Sequence, residues 1–145
     1  MRVASIVAAG LFGGGLVGQQ PETPPELRVG VVKGTIVIDG RLDESDWAAA
    51  AGTDAFRTTD PVEGGQPNGR TLLRVLADGK ALYIGVRCFD PRPDEIVAHV
   101  VARDADLSSE DHVKVVLGTF MDGRTGYVFA VNPRGARYDA LVANR

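Results

Sequence analysis

Cysteine is almost missing from this 145-residue chain: Cys88 stands alone, so neither an intrachain disulfide nor a thiolate metal cluster can form. Its alternating context predicts a small buried apolar residue. Histidine is nearly as scarce. His99 and His112 have no serine, cysteine or ligand partner at a spacing that builds a nucleophile or metal site, and Gly13–Gly15 is not a phosphate cradle. The chain is therefore read as non-catalytic. Basic charge is not in excess, with 16 Lys and Arg against 19 Asp and Glu, which removes nucleic acid as a partner. Aromatics are few: one Trp, three Tyr and five Phe. The longest uncharged run, Val3 to Val17, is short and glycine-rich for a membrane span, so no transmembrane helix is expected.

What is present begins with that run. Arg2 precedes it and small and polar residues follow, the order of charge, apolar stretch and small residue that marks a secretory signal. Residues 1–18 are assigned to the signal and export follows, to the periplasm, the outer membrane or the outside. Residues 19–26, with Pro21, Pro24 and Pro25, form a proline-rich linker. From Leu27 to Arg145 the texture is of short apolar runs between Gly, Pro, Asp and Asn. That rhythm predicts an all-β domain, an antiparallel β-sandwich of immunoglobulin or jelly-roll type with one short helix, hiding its aliphatic sets between two layers of hairpins.

The hairpins are the strongest local signals. Leu72, Leu73, Val75 and Leu76 lead into Asp78-Gly79, where the glycine is expected to supply a positive φ. Leu82, Ile84, Val86 and Cys88 then alternate with Tyr83, Gly85, Arg87 and Phe89, placing the aliphatic set on one face. A second hairpin joins Val113, Val115 and Leu117, through a turn at Asp122-Gly123, to Tyr127, Phe129 and Val131. Asn132-Pro133-Arg134-Gly135 then turns into a last strand, roughly Ala136 to Val142. The one helix is expected to start at Asp43, with Asp46 completing a capping box, to carry Trp47 inward as a core anchor, and to stop at Gly52.

Two kinds of site are legible. Asp104, Asp106, Glu110 and Asp111 crowd one loop, and Asp39, Asp43 and Glu44 another; carboxylates at this density suit calcium, although turn chemistry and capping also explain them. Asp104, Asp106 and Asp111 are the candidate ligands of a structural calcium. Sugar rings stack on aromatic faces, and Tyr83, Tyr127 and Tyr138 are the tyrosines available.

Val37-Ile38-Asp39-Gly40-Arg41-Leu42-Asp43-Glu44 with Trp47 resembles the entry signature of the family 9 carbohydrate-binding modules, making Asp39, Gly40, Asp43 and Trp47 structural anchors. The resemblance continues through Leu73 to Asp78, Ala81 to Val86, Phe89-Asp90-Pro91, Asp111 to Val115 and Thr125 to Asn132. It implies an antiparallel β-sandwich, structural calcium, and attachment to glycoside hydrolases that break O-glycosyl bonds in carbohydrate catabolism. Some members clamp a sugar end between two tryptophans. In the register of these motifs the first tryptophan falls near Ser108 and the second beyond Arg145, while polar contacts fall on Lys114, Val128 and Ala130. Tyr83, Ser108, Lys114 and Tyr127 are accordingly the candidate contacts for a polysaccharide or oligosaccharide. Arg103 to Ser109 and Phe129 to Gly135 further resemble the N-terminal module of large bacterial envelope proteins. That likeness implies a module incomplete at its C-terminus, whose partner is the region that follows. The alternative expectation is a structural or interaction domain of the cell envelope that has lost the sugar site.

Overall fold

A computed structural model describes residues 26–119 and 122–143, together with the backbone of 3–6. The signal at 1–18 and the linker at 19–26 fall outside these residues except at 3–6 and 26. The chain is mostly β, with two sheets and no closed barrel. It divides into two compact units, Pro25–Pro91 and Arg92–Arg145 with Met1–Pro24.

In the unit of Pro25–Pro91, the long hairpin comprises β4 (Arg70–Ala77) and β5 (Leu82–Phe89), paired antiparallel along their whole length from Arg70 opposite Phe89 to Ala77 opposite Leu82. The other edge of β4 is shared by β2 (Gly30–Val31), parallel at Leu76–Ala77, and β3 (Gly52–Thr53), antiparallel at Leu73–Arg74. This sheet is mixed, a correction to the purely antiparallel expectation. The hairpin turn is also closed differently from the reading above. Gly79 does not adopt a positive φ. Instead Asp78 accepts the Lys80 and Ala81 amides on one carboxylate oxygen, at 2.7 and 2.8 Å, which holds the turn without a left-handed residue.

Helix α1 (Ser45–Ala49) is a single short turn carrying Trp47, which is 3% exposed, the buried anchor the sequence predicts. The reason it fits lies in β5: a Cβ on Gly85 would stand 2.8 Å from the Trp47 ring and 2.9 Å from Leu42, so only glycine admits the indole. The predicted capping box is absent. Asp43 is exposed, Glu44 occupies the cap position without a side-chain cap bond, and the Glu44 carboxylate instead accepts the Val37 amide. Asp46 turns away from the helix to accept the Lys33 and Gly34 amides, at 3.0 and 2.9 Å. These amides follow the end of β2 and have no ladder partner, so the buried Asp46 carboxylate gains two acceptor bonds there. Cys88 is exposed rather than buried, because it lies at the far end of β5, opposite Thr71.

In the unit of Arg92–Arg145, β6 (His112–Leu117), β7 (Thr125–Val131) and β8 (Arg137–Ala143) form an antiparallel meander, and the backbone of β1 (Val3–Ile6) runs parallel to β6. The predicted turns hold. Gly123 has φ +64° beside Asp122, whose carboxylate takes the Arg124 and Thr125 amides and the Thr125 hydroxyl. Those bonds lower its pKa to about 2. Gly135, at φ +81°, closes the turn into β8. The two faces of this sheet differ. Val128 and Ala130 are buried, and Leu107, Ala130 and Ala136 cluster with Val100 and Tyr138 against them. Tyr127, Phe129, Val131 and Leu141 on the opposite face are exposed, in contrast to the hidden aliphatic set the alternation implies.

Candidate functional site

The predicted contact residues fall in three places. Tyr83 belongs to the unit of Pro25–Pro91 and lines a cleft of about 220 Å³ with Ile36, Leu42, Trp47 and Ile84. Its hydroxyl donates to Asp78 at 3.1 Å, and that bond raises the phenol pKa above its ordinary value. Trp47 Nε1 is buried without a hydrogen-bond partner among the described residues. The cleft walls are mainly aliphatic, and few polar groups converge there, which suits a sugar poorly. Tyr127 lies on the exposed face of β7, stacked on Phe129 with ring centroids 6.5 Å apart.

Ser108 and Lys114 are brought together on the other face of that sheet. Lys114 and His112 alternate onto one side of β6, and residues 97–111 form a strap above them. Asp106, in the strap, accepts the Ser108 amide at 2.8 Å and the Ser108 hydroxyl at 3.0 Å. Those bonds lower its carboxyl pKa against the opposing desolvation, and the nearby Lys114 ammonium adds to the lowering. An ionised acceptor and a hydroxyl on the exposed strap thus lie near the half-buried Lys114 ammonium. Lys114, Ala130 and Tyr138 stand in one row across the three strands. Sequence reasoning placed Asp106 with the metal ligands instead.

Among the described residues no group of three or more His, Cys, Asp or Glu side chains comes together. Asp104, at φ +59°, pairs with Arg103; Asp106 is turned to Ser108; Asp111 accepts the Val97 amide at 2.8 Å. The Asp106 and Asp111 carboxylates thus take local backbone amides, while Asp104 takes only its neighbour's guanidinium.

The chain matches no protein-family model, no curated protein and no solved structure.

Beneath the strap lies a buried polar group that no motif marked. Glu110 is 3% exposed, and its carboxylate accepts the His99 and Val100 amides and the Asn132 side-chain amide. Burial works to raise its pKa, but the bonds from Asn132, Val100 and His99 outweigh it and hold the carboxyl below its ordinary 4.5. His112 is also buried, its Nδ1 2.8 Å from the Glu110 carbonyl. In the sequence Glu110 stood only as one acidic residue of a crowded loop, with no local signal to separate it from Asp104, Asp106 and Asp111.

Proposed function

We propose that this chain is a non-catalytic, carbohydrate-binding-like module of an exported protein, built on a β-sandwich of the family 9 kind. Its role is to attach or orient an adjoining region at a polysaccharide, and in relatives of that kind the adjoining region is a glycoside hydrolase. The observation that carries the reading is the grouping of Asp106, Ser108 and Lys114 on one sheet face. Neighbouring sugar hydroxyls each donate and accept, and a carboxylate, a hydroxyl and an ammonium side by side complement them. Lys114 and Asp106 offset each other's charge, which favours neutral hydroxyls over an anionic ligand. Export is inferred from the leader at 1–18.

Isothermal calorimetry against soluble oligosaccharides and cell-wall glycans tests this. Heat with one glycan class, lost in Lys114→Ala, supports it. No heat with any class leaves the second reading, a structural or interaction domain of the cell envelope. That reading draws on Tyr127 standing on the face opposite Lys114, on Tyr83 standing in the other unit, and on Tyr138, which shares the row of Lys114 but is packed against the Leu107 cluster.

A further inference from the structure

The strap at 97–111 has a closed neck: Val97 N–H donates to the Asp111 carboxylate at 2.8 Å, and Asp111 N–H donates to the Val97 carbonyl at 2.9 Å. Within it, Leu107 is the only apolar side chain that is fully buried. One leucine against Ala130 and Ala136 is a weak anchor for a segment of this length. What fixes the strap is polar. Asn132 is 4% exposed, and its side-chain amide donates to the Val100 carbonyl at 2.8 Å and to Glu110 at 2.6 Å. Its side-chain carbonyl accepts the Arg134 and Ala136 amides at 3.1 and 2.8 Å. One pair of side chains therefore joins both ends of the strap to the turn between β7 and β8. Beyond Val100 the strap is next tied by Arg103, which pairs with Asp139, and by Asp104, whose amide donates to the Arg137 carbonyl at 2.8 Å. Asp106 and Ser108 sit between that tie and Glu110.

We propose that Glu110 and Asn132 are positioning residues: by clamping the strap they set Asp106 and Ser108 beside Lys114 and so assemble the ligand patch. This rests on the carbohydrate-binding reading above for its ligand, while the clamp itself can be judged without one. Neither residue reaches the exposed patch, so their influence on binding passes through the strap.

The clamp has a directional chemistry that a swap exposes. In Glu110→Gln the new amide nitrogen cannot satisfy the Asn132 donor while its oxygen holds the His99 and Val100 amides. In Asn132→Asp two carboxylates face each other. In the double variant the glutamine amide donates to the aspartate, the backbone amides keep their acceptors, and only the bond to the Val100 carbonyl is lost. The test is residue-resolved hydrogen exchange of the full chain, with Trp47 fluorescence as the check on folding and calorimetry with whichever glycan gives heat. Each single variant is expected to speed exchange at His99 and Val100 by about tenfold or more, and the double variant to recover most of the protection. Glycan affinity falls and recovers in parallel, whereas Lys114→Ala lowers affinity and leaves exchange unchanged. Unaltered exchange in the single variants, or a double variant as loose as the worse of them, overturns the clamp. Full affinity with a loosened strap overturns the positioning role. If the wild type binds no glycan, the carbohydrate reading and the positioning role fall together, and exchange alone decides the clamp.

Discussion

The two units solve one local problem with the same device and then diverge. In each, a carboxylate reaches across the chain to take two consecutive backbone amides: Asp46 takes Lys33 and Gly34, and Glu110 takes His99 and Val100. In the first unit that bond accompanies a large apolar anchor, Trp47, seated where Gly85 leaves room. In the second it is extended through Asn132, and the apolar partners are Leu107 and two alanines. The difference teaches that one segment is held mainly by shape and the other mainly by hydrogen-bond direction. Shape tolerates changes of charge and fails when volume changes, while a directional network does the opposite.

The sharpest break of that comparison is Trp47→Ala, which removes the largest buried side chain of its unit. It is expected to cost about 3–5 kcal/mol in denaturant unfolding, as large-to-small aromatic truncations do. Gly85→Ala attacks the same contact from the other side, and overpacking against the indole is expected to cost about 1–3 kcal/mol in the same measurement. Native destabilisation near zero in both would mean that the anchor is not seated as described. In the second unit, Leu107→Val keeps the polar clamp and trims one methylene, and its expected cost is about 1 kcal/mol, with His99 and Val100 exchange nearly unchanged. A larger loosening of the strap there would show that apolar contact rather than the clamp holds it.

Acid provides a smaller and reversible test. Because its folded pKa lies below 4.5, Glu110 contributes stability that is fully present above the unfolded value and lost as pH falls through the folded one. Strap amides should therefore stay protected through mildly acidic conditions and exchange faster only below about pH 4.5. Of the ionisable side chains nearby, His99 adds to the lowering of its pKa. Asp122 should give the smallest effect: an NMR titration of its carboxyl is expected to have a midpoint near 2, with the turn's contribution fading between its ordinary value of 3.8 and that point.

Much of the strand order was legible because its signals are local. Period-two alternation placed β4, β5, β6 and β7, and the Asp122-Gly123 and Asn132 to Gly135 turns carry their own backbone requirements. Trp47 was legible for a similar reason, since a lone tryptophan among alanines has little to do but fill a core. The failures share a cause. Asp43 and Asp46 read as caps because capping is a short-range rule, yet Asp46 serves amides more than ten residues earlier in the chain. Asp78-Gly79 read as a glycine turn, and the aspartate side chain does the work instead. Among Asp104, Asp106, Glu110 and Asp111, nothing in the residue types says which carboxylate goes inside.

Composition and alternation alone therefore determined that this chain is β-rich, poor in nucleophiles and thiols, and punctuated by specific turns, because those properties depend on residues and their near neighbours. Only the tertiary structure decided that Glu110 is buried while Asp106 stays at the surface beside Ser108 and Lys114. The physical reason is that a carboxylate goes wherever unpaired amides lie, and their position is set by strands distant in sequence.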